Sequence, residues 1–308
     1  MTAISIRHIR YFDALAQHGH FGRASEACAI SQPALSLQIK ELEGILGARL
    51  VERGPRQIRL TGLGEAFAAR ARTILQAVDE LADLGRALGG PLSGRLRIGV
   101  IPTVAPYLLP QIITALTEHH PGIDLRPREA ITQRLIGDLL DGRLDTAIVA
   151  LPVSEPGLTE HPLFEEEFVL VRPAGDAAKP VPDARKLREM RLLLLEEGHC
   201  FRDQALSFCS PLPAPARDLI EGSALSTLVQ MGGVGIGVTL IPQMAVPVET
   251  RSANVSVARL AAPRPGRTIG MIWRRTNPLA AQLTQLAETV RQAGTRPRCC
   301  PKQTEGHG

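Results

Sequence analysis

The sequence predicts a mixed α/β chain in three parts: a small helical front end, one long helix, and a larger body of alternating strands and helices. Three observations carry this. Apolar residues recur every three or four positions through the first sixty residues. Between Thr61 and Gly89 they recur every seven, and a Gly-Pro-Ser stretch follows at once. From Arg95 onward, short runs rich in Val, Ile and Leu alternate with helical patterns closed by Gly or Pro.

At 308 residues, 44% apolar and 21% charged, the chain can bury sizeable cores in two or three compact units. A net charge of +4 is compatible with an anionic partner without demanding one. Five scattered cysteines do not make an extracellular disulfide scaffold. No basic-apolar-small leader opens the chain, and no apolar run reaches the roughly 18 residues of a membrane span. The expectation is a cytoplasmic protein with reduced thiols, no membrane partner and no cofactor.

The first helix is read from IRHIRYFDALAQHG, where Ile6, Ile9, Phe12 and Leu15 step by three and Gly19 stops the element. A second, short helix runs near Arg23 to Cys28, and Cys28 reads as a small core residue. A third opens at Ser31, a good N-cap, with Pro33 in the first turn where its missing N–H costs little. Leu35, Ile39, Leu42 and Leu46 make one buried stripe, which turns Pro33, Ser36, Leu37 and Lys40 outward. Two short apolar runs around Gly54-Pro55 then predict a hairpin dotted with Arg49, Arg53, Arg56 and Arg59.

Helix, tight turn, helix with a polar outer face and basic hairpin is the order of a winged helix-turn-helix, here residues 1–61. Such a unit suits DNA. A helix fits the major groove, so Ser31, Gln32, Ser36, Leu37 and Lys40 are candidates to read or line it. Arg53 and Arg56 are candidates for phosphate. A three-helix packing module with a solvated basic face is the alternative.

From Thr61, a plausible N-cap, Phe67, Ile74, Leu81 and Leu88 recur every seven residues, with Ala71 and Val78 between them. This seam asks for a partner helix, and the GGPLSG that follows leaves it little else to lie on, so residues 62–90 read as a linker and dimerisation helix. Beyond it, RLRIGVI, IDLRPREA, LDTAIVAL, EEFVLVRP, RLLLLEEG, GVTLIP and RTIGMIWRR are strands, separated by helices, and PLAAQLTQLAETVRQAG is a last helix. The alternation implies parallel sheets. The late strand can return to the first sheet, giving two lobes about a cleft: lobe I about 91–163 and 268–295, lobe II about 164–267. The tail, 296–308, reads as disordered.

Several signals invite chemistry and are better read as packing. The glycines of GGVGIGV follow a helix and precede a strand, the reverse of a phosphate-binding loop. His199, Cys200 and Cys209 lack a fourth zinc ligand and the spacing of a finger, so no metal is expected. The run Glu165, Glu166, Glu167 reads as a solvated edge.

The segment EEGHCFRDQALSFC is different. Cys200 falls at the start of a helix containing Phe201, Ala205 and Phe208, where unpaired N–H groups and the neighbouring Arg202 favour thiolate and His199 can add a hydrogen bond. Thiolate attacks peroxide to give a sulfenic acid, which condenses with a second thiol if one can arrive. Cys209 is the cysteine nearest in sequence. If both lie on one intact helix no bond forms, and an oxidised pair would have to melt it. Two structural thiols remain the alternative.

The front end RYFDALAQHGHFGRASEACAISQPALSLQIKELEGILGARLVERGPRQIRLTGLGEAF strongly resembles the DNA-binding region of the LysR-type transcriptional regulators. To about residue 294 the chain resembles the peroxide-sensing members of that family, through GHCFRDQALSFC, IGVIPTVAPYLLP, REAITQRL and GRTIG. The resemblance implies a homotetrameric activator that is not an enzyme, with a periplasmic-binding-protein-like regulatory domain of two lobes. It implies that Cys200 is the peroxidatic and Cys209 the resolving cysteine of a disulfide switch. Thr103 and Thr132 would line the peroxide pocket beside His199, Arg202 and Asp203. It further implies promoter DNA, RNA polymerase and a glutaredoxin- or thioredoxin-type reductant as partners. A LysR-type regulator with a small organic effector in the cleft and incidental thiols is the other reading. One departure bears on the switch: SPLPAPARDL after Cys209 is proline-rich and lacks glycine, which stiffens the loop that would refold.

Overall fold

The computed structural model describes residues 3–53, 58–88, 92–209 and 219–295. Arg56, the side chains of Arg53 and Cys209, residues 89–91 of the glycine-rich linker, the proline-rich segment and the tail with Cys299 and Cys300 lie outside the described residues. The chain divides into two compact units, Met1–Leu88 and Gly89–Gly308.

The first unit holds α1 (Ile6–His18), α2 (Phe21–Ala27), α3 (Gln32–Leu46), the hairpin strands β1 (Val51–Arg53) and β2 (Ile58–Leu60), and α4 (Gly62–Leu88). Each helix starts where a side chain can satisfy an orphan N–H. Ser5 and His8 form a capping box on α1, the Ser31 hydroxyl accepts from Ala34 N at 3.4 Å, and the Thr61 hydroxyl accepts from Gly64 N at 3.0 Å. Gly19 and Gly47 end α1 and α3 in the left-handed conformation. Phe12, Leu15, Leu35, Ile39, Leu42 and Leu50 form the core, and Phe67 of α4 meets Phe12 edge-on with ring centroids 5.2 Å apart. Gly64 must be glycine because a Cβ there would sit 2.1 Å from Leu50 O. Two positions depart from the expected stripes. Ile6 is exposed in the first turn of α1, and Leu46 is only partly buried as α3 ends.

The seam of α4 divides along its length. Phe67 and Ala71 pack on their own unit, whereas Ile74 is 42% and Leu81 68% exposed in the single chain.

The second unit begins with β3 (Gly94–Val100), α5 (Ala105–His119), β4 (Ile123–Glu129), α6 (Thr132–Leu140), β5 (Thr146–Leu151) and the long β6 (Leu158–Pro173). It continues through α7 (Ala184–Glu189), β7 (Leu192–Leu195), α8 (Cys200–Cys209), β8 (Leu219–Gly222), α9 (Leu225–Gly233) and β9 (Thr239–Pro242). The last elements are α10 (Val246–Glu249), β10 (Val255–Arg259), β11 (Gly266–Arg274) and α11 (Ala280–Thr295). The main sheet runs β10-β6-β11-β5-β3-β4, with β9 also on β6, and β7 and β8 form a separate ribbon.

The expectation of parallel sheets holds for β3 with β4 and β5 and for β7 with β8. It fails in the middle. β11 is antiparallel to β5 and β6, and β6 is antiparallel to β9 and β10. The cause is topological: β6 leaves the first strands and β11 returns to them, so the two must run opposite ways. Hydrophobic periodicity reports which face is buried, not strand direction.

β6 changes partners along its length. Leu158–Glu167 lies against β11, and Phe168–Pro173 lies between β9 and β10. Its first half, ahead of the expected EEFVLVRP strand, was not expected. Pro162 is tolerated where the register shifts beside Gly270. β8, β10 and α7 were also not expected. One core of this unit, beside β7 and α8, is built by Phe168–Val171, Leu192–Leu195, Phe201, Ala205, Leu228, Val229, Leu240 and Ile241.

Candidate functional site

Four leucines in a row make β7 buried on both faces, so it ends where polarity resumes at Glu196. Gly198 then takes φ +94°, which L side chains rarely adopt, and a Cβ there would stand 3.2 Å from Ile131 Cδ1. The loop carrying His199 therefore lies tight on the start of α6. Cys200 opens α8, partly buried, with its thiol free.

One helix contains both cysteine positions. A nine-residue separation at ~1.5 Å per residue puts the two backbones roughly 13 Å apart. That is about twice the ~7 Å a disulfide spans. α8 is anchored at its front: Phe201 and Ala205 are fully buried, and Phe201 meets Phe168 of β6 edge-on at 4.8 Å. A bond between these cysteines requires α8 to unwind.

Behind Phe201 lies a buried charge network. The guanidinium of Arg267 sits 5.5 Å from the Phe201 ring centroid and 6.0 Å from that of Phe168. It donates to Glu166 Oε2 from Nε at 2.9 Å, to Thr103 Oγ1 from Nη1 at 2.8 Å and to Thr103 O from Nη2 at 3.1 Å. The Arg267 side chain is wholly buried and that of Glu166 nearly so, and Glu166 Oε1 also accepts from Met244 N at 3.1 Å. Glu166 is thus not part of a solvated edge, although Glu165 is exposed. Arg267 was not singled out from the sequence, and Glu166 was read there only as part of a solvated edge. The signal available was period two: Glu166 stands between Phe164 and Phe168 on one strand face.

Thr103 is reached through Arg267 and Phe201, and Thr132 follows Ile131, which touches Gly198. The Thr132 hydroxyl is buried without a hydrogen-bond partner among the described residues. Arg202 is engaged elsewhere than expected: its Nη1 donates to Leu195 O at 2.9 Å and Glu221 Oε1 at 2.6 Å. His199 is half-buried, and Asp203 is exposed on the first turn of α8.

In the first unit the outward face of α3 carries Ser31, Gln32, Leu37 and Lys40 exposed and Ser36 half-buried, with Leu37 64% exposed. Gln38 bonds Glu41 at 3.0 Å and so stays out of that row. Arg53 ends β1, and the position of Arg56 lies outside the described residues.

A cavity of about 520 Å³ opens elsewhere in the second unit, lined by Gln111, Phe164, Glu165, Gln243 and Arg259 among others, and not by Cys200. No helix among the described residues is long and apolar enough to cross a membrane.

Residues 6–65 match the family described as "Bacterial regulatory helix-turn-helix protein, lysR family", and residues 89–295 match the "LysR substrate binding domain". The chain is 44% identical over 293 residues to a Streptomyces viridosporus protein named "Probable hydrogen peroxide-inducible genes activator", covering 94% of each. It is similar to a full-length cysteine-to-aspartate variant of OxyR from Pseudomonas aeruginosa, with a TM-score of 0.76, 37% identity and 94% and 96% of the two chains covered. A hydrogen-peroxide-bound cysteine-to-serine variant of Corynebacterium glutamicum OxyR gives a TM-score of 0.65 at 31% identity, covering 95% and 93%. A helix-turn-helix with an exposed row on α3, followed by a regulatory unit matched from residue 89 to 295, places this chain in the LysR family of bacterial transcriptional regulators.

Proposed function

We propose that the chain is a cytoplasmic, DNA-binding transcriptional activator that senses hydrogen peroxide in the manner of OxyR. Cys200 is the attacked sulfur: Cys200–SH and H2O2 give Cys200–SOH and water. The sulfenic acid then condenses with the Cys209 thiol, forming the S–S bond and releasing a second water. The observation that carries the reading is the continuity of α8 from Cys200 to Cys209 with the Cys200 thiol free, because closing the bond converts oxidation into a change of shape. The unpartnered Thr132 hydroxyl beside this loop supports it, since peroxide both donates and accepts hydrogen bonds. His199 and Thr103 complete the pocket with Arg202 and Asp203 at its edge.

The protein works as residues 1–61 for DNA, 62–90 as linker and 91–295 as a two-lobed regulatory domain, assembled as a homotetramer. Ser31, Gln32, Ser36, Leu37 and Lys40 face the groove, and Arg53 and Arg56 meet phosphates. RNA polymerase is the downstream partner, and a glutaredoxin- or thioredoxin-type reductant resets the thiols. The 520 Å³ cavity favours a second reading, a small organic effector with incidental thiols.

Thiol counts before and after equimolar peroxide, with a gel shift on the chain's own upstream DNA, separate the two. Loss of two thiols with an altered shift supports the sensor. Unchanged thiols and unchanged binding overturn it. Cys200→Ser is expected to abolish peroxide-dependent transcription while still binding DNA, and Cys209→Ser to stop at a probe-reactive sulfenic acid.

A further inference from the structure

Arg202 occupies the third position of α8 and ties that helix to two neighbours at once. Its Nη1 donates to Leu195 O, where β7 ends, and to Glu221 Oε1 on β8, at 2.9 and 2.6 Å. Glu221 is held in turn by the parallel pairing of β8 with β7, in which it stands opposite Leu194. The Arg202 side chain is only 11% exposed, so its charge has given up most of its water for these oxygens, whereas Glu221 is 45% exposed. Arg202 also lies inside the ring that a Cys200–Cys209 bond would close. Ten residues cannot keep helical geometry and bring ends roughly 13 Å apart to within about 7 Å. Unwinding that reaches the first turn of α8 therefore breaks the Arg202–Glu221 contact, and the contact holds that turn against it.

We propose that Glu221 is a positioning residue of the switch: through Arg202 it fastens the first turn of α8 to the β7–β8 ribbon and slows the second, bond-forming step without affecting the first. This rests on the reading of Cys200 and Cys209 as the reacting pair. In the first step peroxide oxidises one sulfur and α8 stays folded. In the second, the Cys209 thiolate attacks the Cys200–SOH sulfur, the S–S bond forms as the S–O bond breaks, the departing hydroxide takes up a proton and leaves as water, and α8 has to unwind.

The test separates the steps in the purified full-length chain. In a Cys209→Ser background, sulfenic acid formation is timed with a dimedone-type probe for Glu221 and Glu221→Gln. With both cysteines present, disulfide formation is timed by quenching and mass spectrometry. Glu221→Gln keeps size and polarity at a half-exposed position and removes only the charge. The expected result is an unchanged first step and a disulfide step about two- to fivefold faster, the range for one partly exposed ion pair. Raising salt to about 0.5 M should speed the unaltered protein toward the variant, because a partly exposed pair is screened, and leave Glu221→Gln unmoved. Glu221→Asp should fall between them. Equal disulfide rates, or a first step that changes as much as the second, overturn the latch while leaving the sensor reading standing. If peroxide oxidises neither thiol in any variant, the sensor reading falls and the latch with it.

Discussion

Arg267 and Thr103, 164 positions apart in sequence, meet through two hydrogen bonds that anchor the turn before α5 to strand β11. The same guanidinium neutralises Glu166 and lies against Phe201, so the residue that follows Cys200 packs on a fixed, buried cation.

Removing that cation should be costly. Arg267→Met leaves the Glu166 carboxylate buried without its partner, and a loss of about 3–5 kcal/mol in urea unfolding is expected. Arg267→Met combined with Glu166→Leu should recover most of it, because the desolvated charge is then gone. A single variant as stable as the parent would show that Glu166 is not ionised in this network.

Cys28 should be a bystander. Burial pushes its thiol above the ordinary value of 9.0, outweighing the opposing pull of Arg10, with Asp13 adding a smaller push upward. A raised pKa means less thiolate at every pH below it, so alkylation of Cys28 at pH 8 should lag behind that of an unperturbed cysteine and catch up only above pH 9. Cys28→Ala should leave the peroxide response intact. Its loss in that variant would reassign the sensing sulfur.

Lys40 is exposed on the outward row of α3. If it meets phosphate, Lys40→Ala should weaken binding to all DNA alike and reduce the slope of log affinity against log salt by about 1. Ser36→Ala should instead alter which sequences are preferred. A Lys40→Ala slope identical to the parent's would take Lys40 off the backbone.

Leu81 is 68% exposed on α4, so Leu81→Lys should fold normally. On a dimerisation seam the added charge must be desolvated, and light scattering should show smaller assemblies with weaker DNA binding. Assemblies of unchanged mass would place the interface elsewhere.

The front end was legible residue by residue because its determinants are local. Ser31 capping α3, Gly19 and Gly47 ending helices and the Leu35–Ile39–Leu42 stripe all act within one or two turns. The cysteine helix was legible for the same reason. Glu166 was misread as solvated, since nothing near it in sequence supplies the arginine, 101 positions away, that makes its burial tolerable. Arg202 was placed toward the thiol because they are neighbours, yet its charge goes to Glu221, nineteen positions on.

By itself the sequence determined the kinds of element, their order, and the two sulfurs at the ends of one amphipathic segment, because helix caps and periodic burial are short-range effects. Only the tertiary structure decided strand directions in the middle of the sheet, the partner change along β6 and the pairing of each buried charge. Those depend on which distant backbone returns alongside, and low-dielectric burial makes a charge's partner, not its neighbour in the chain, the term that counts.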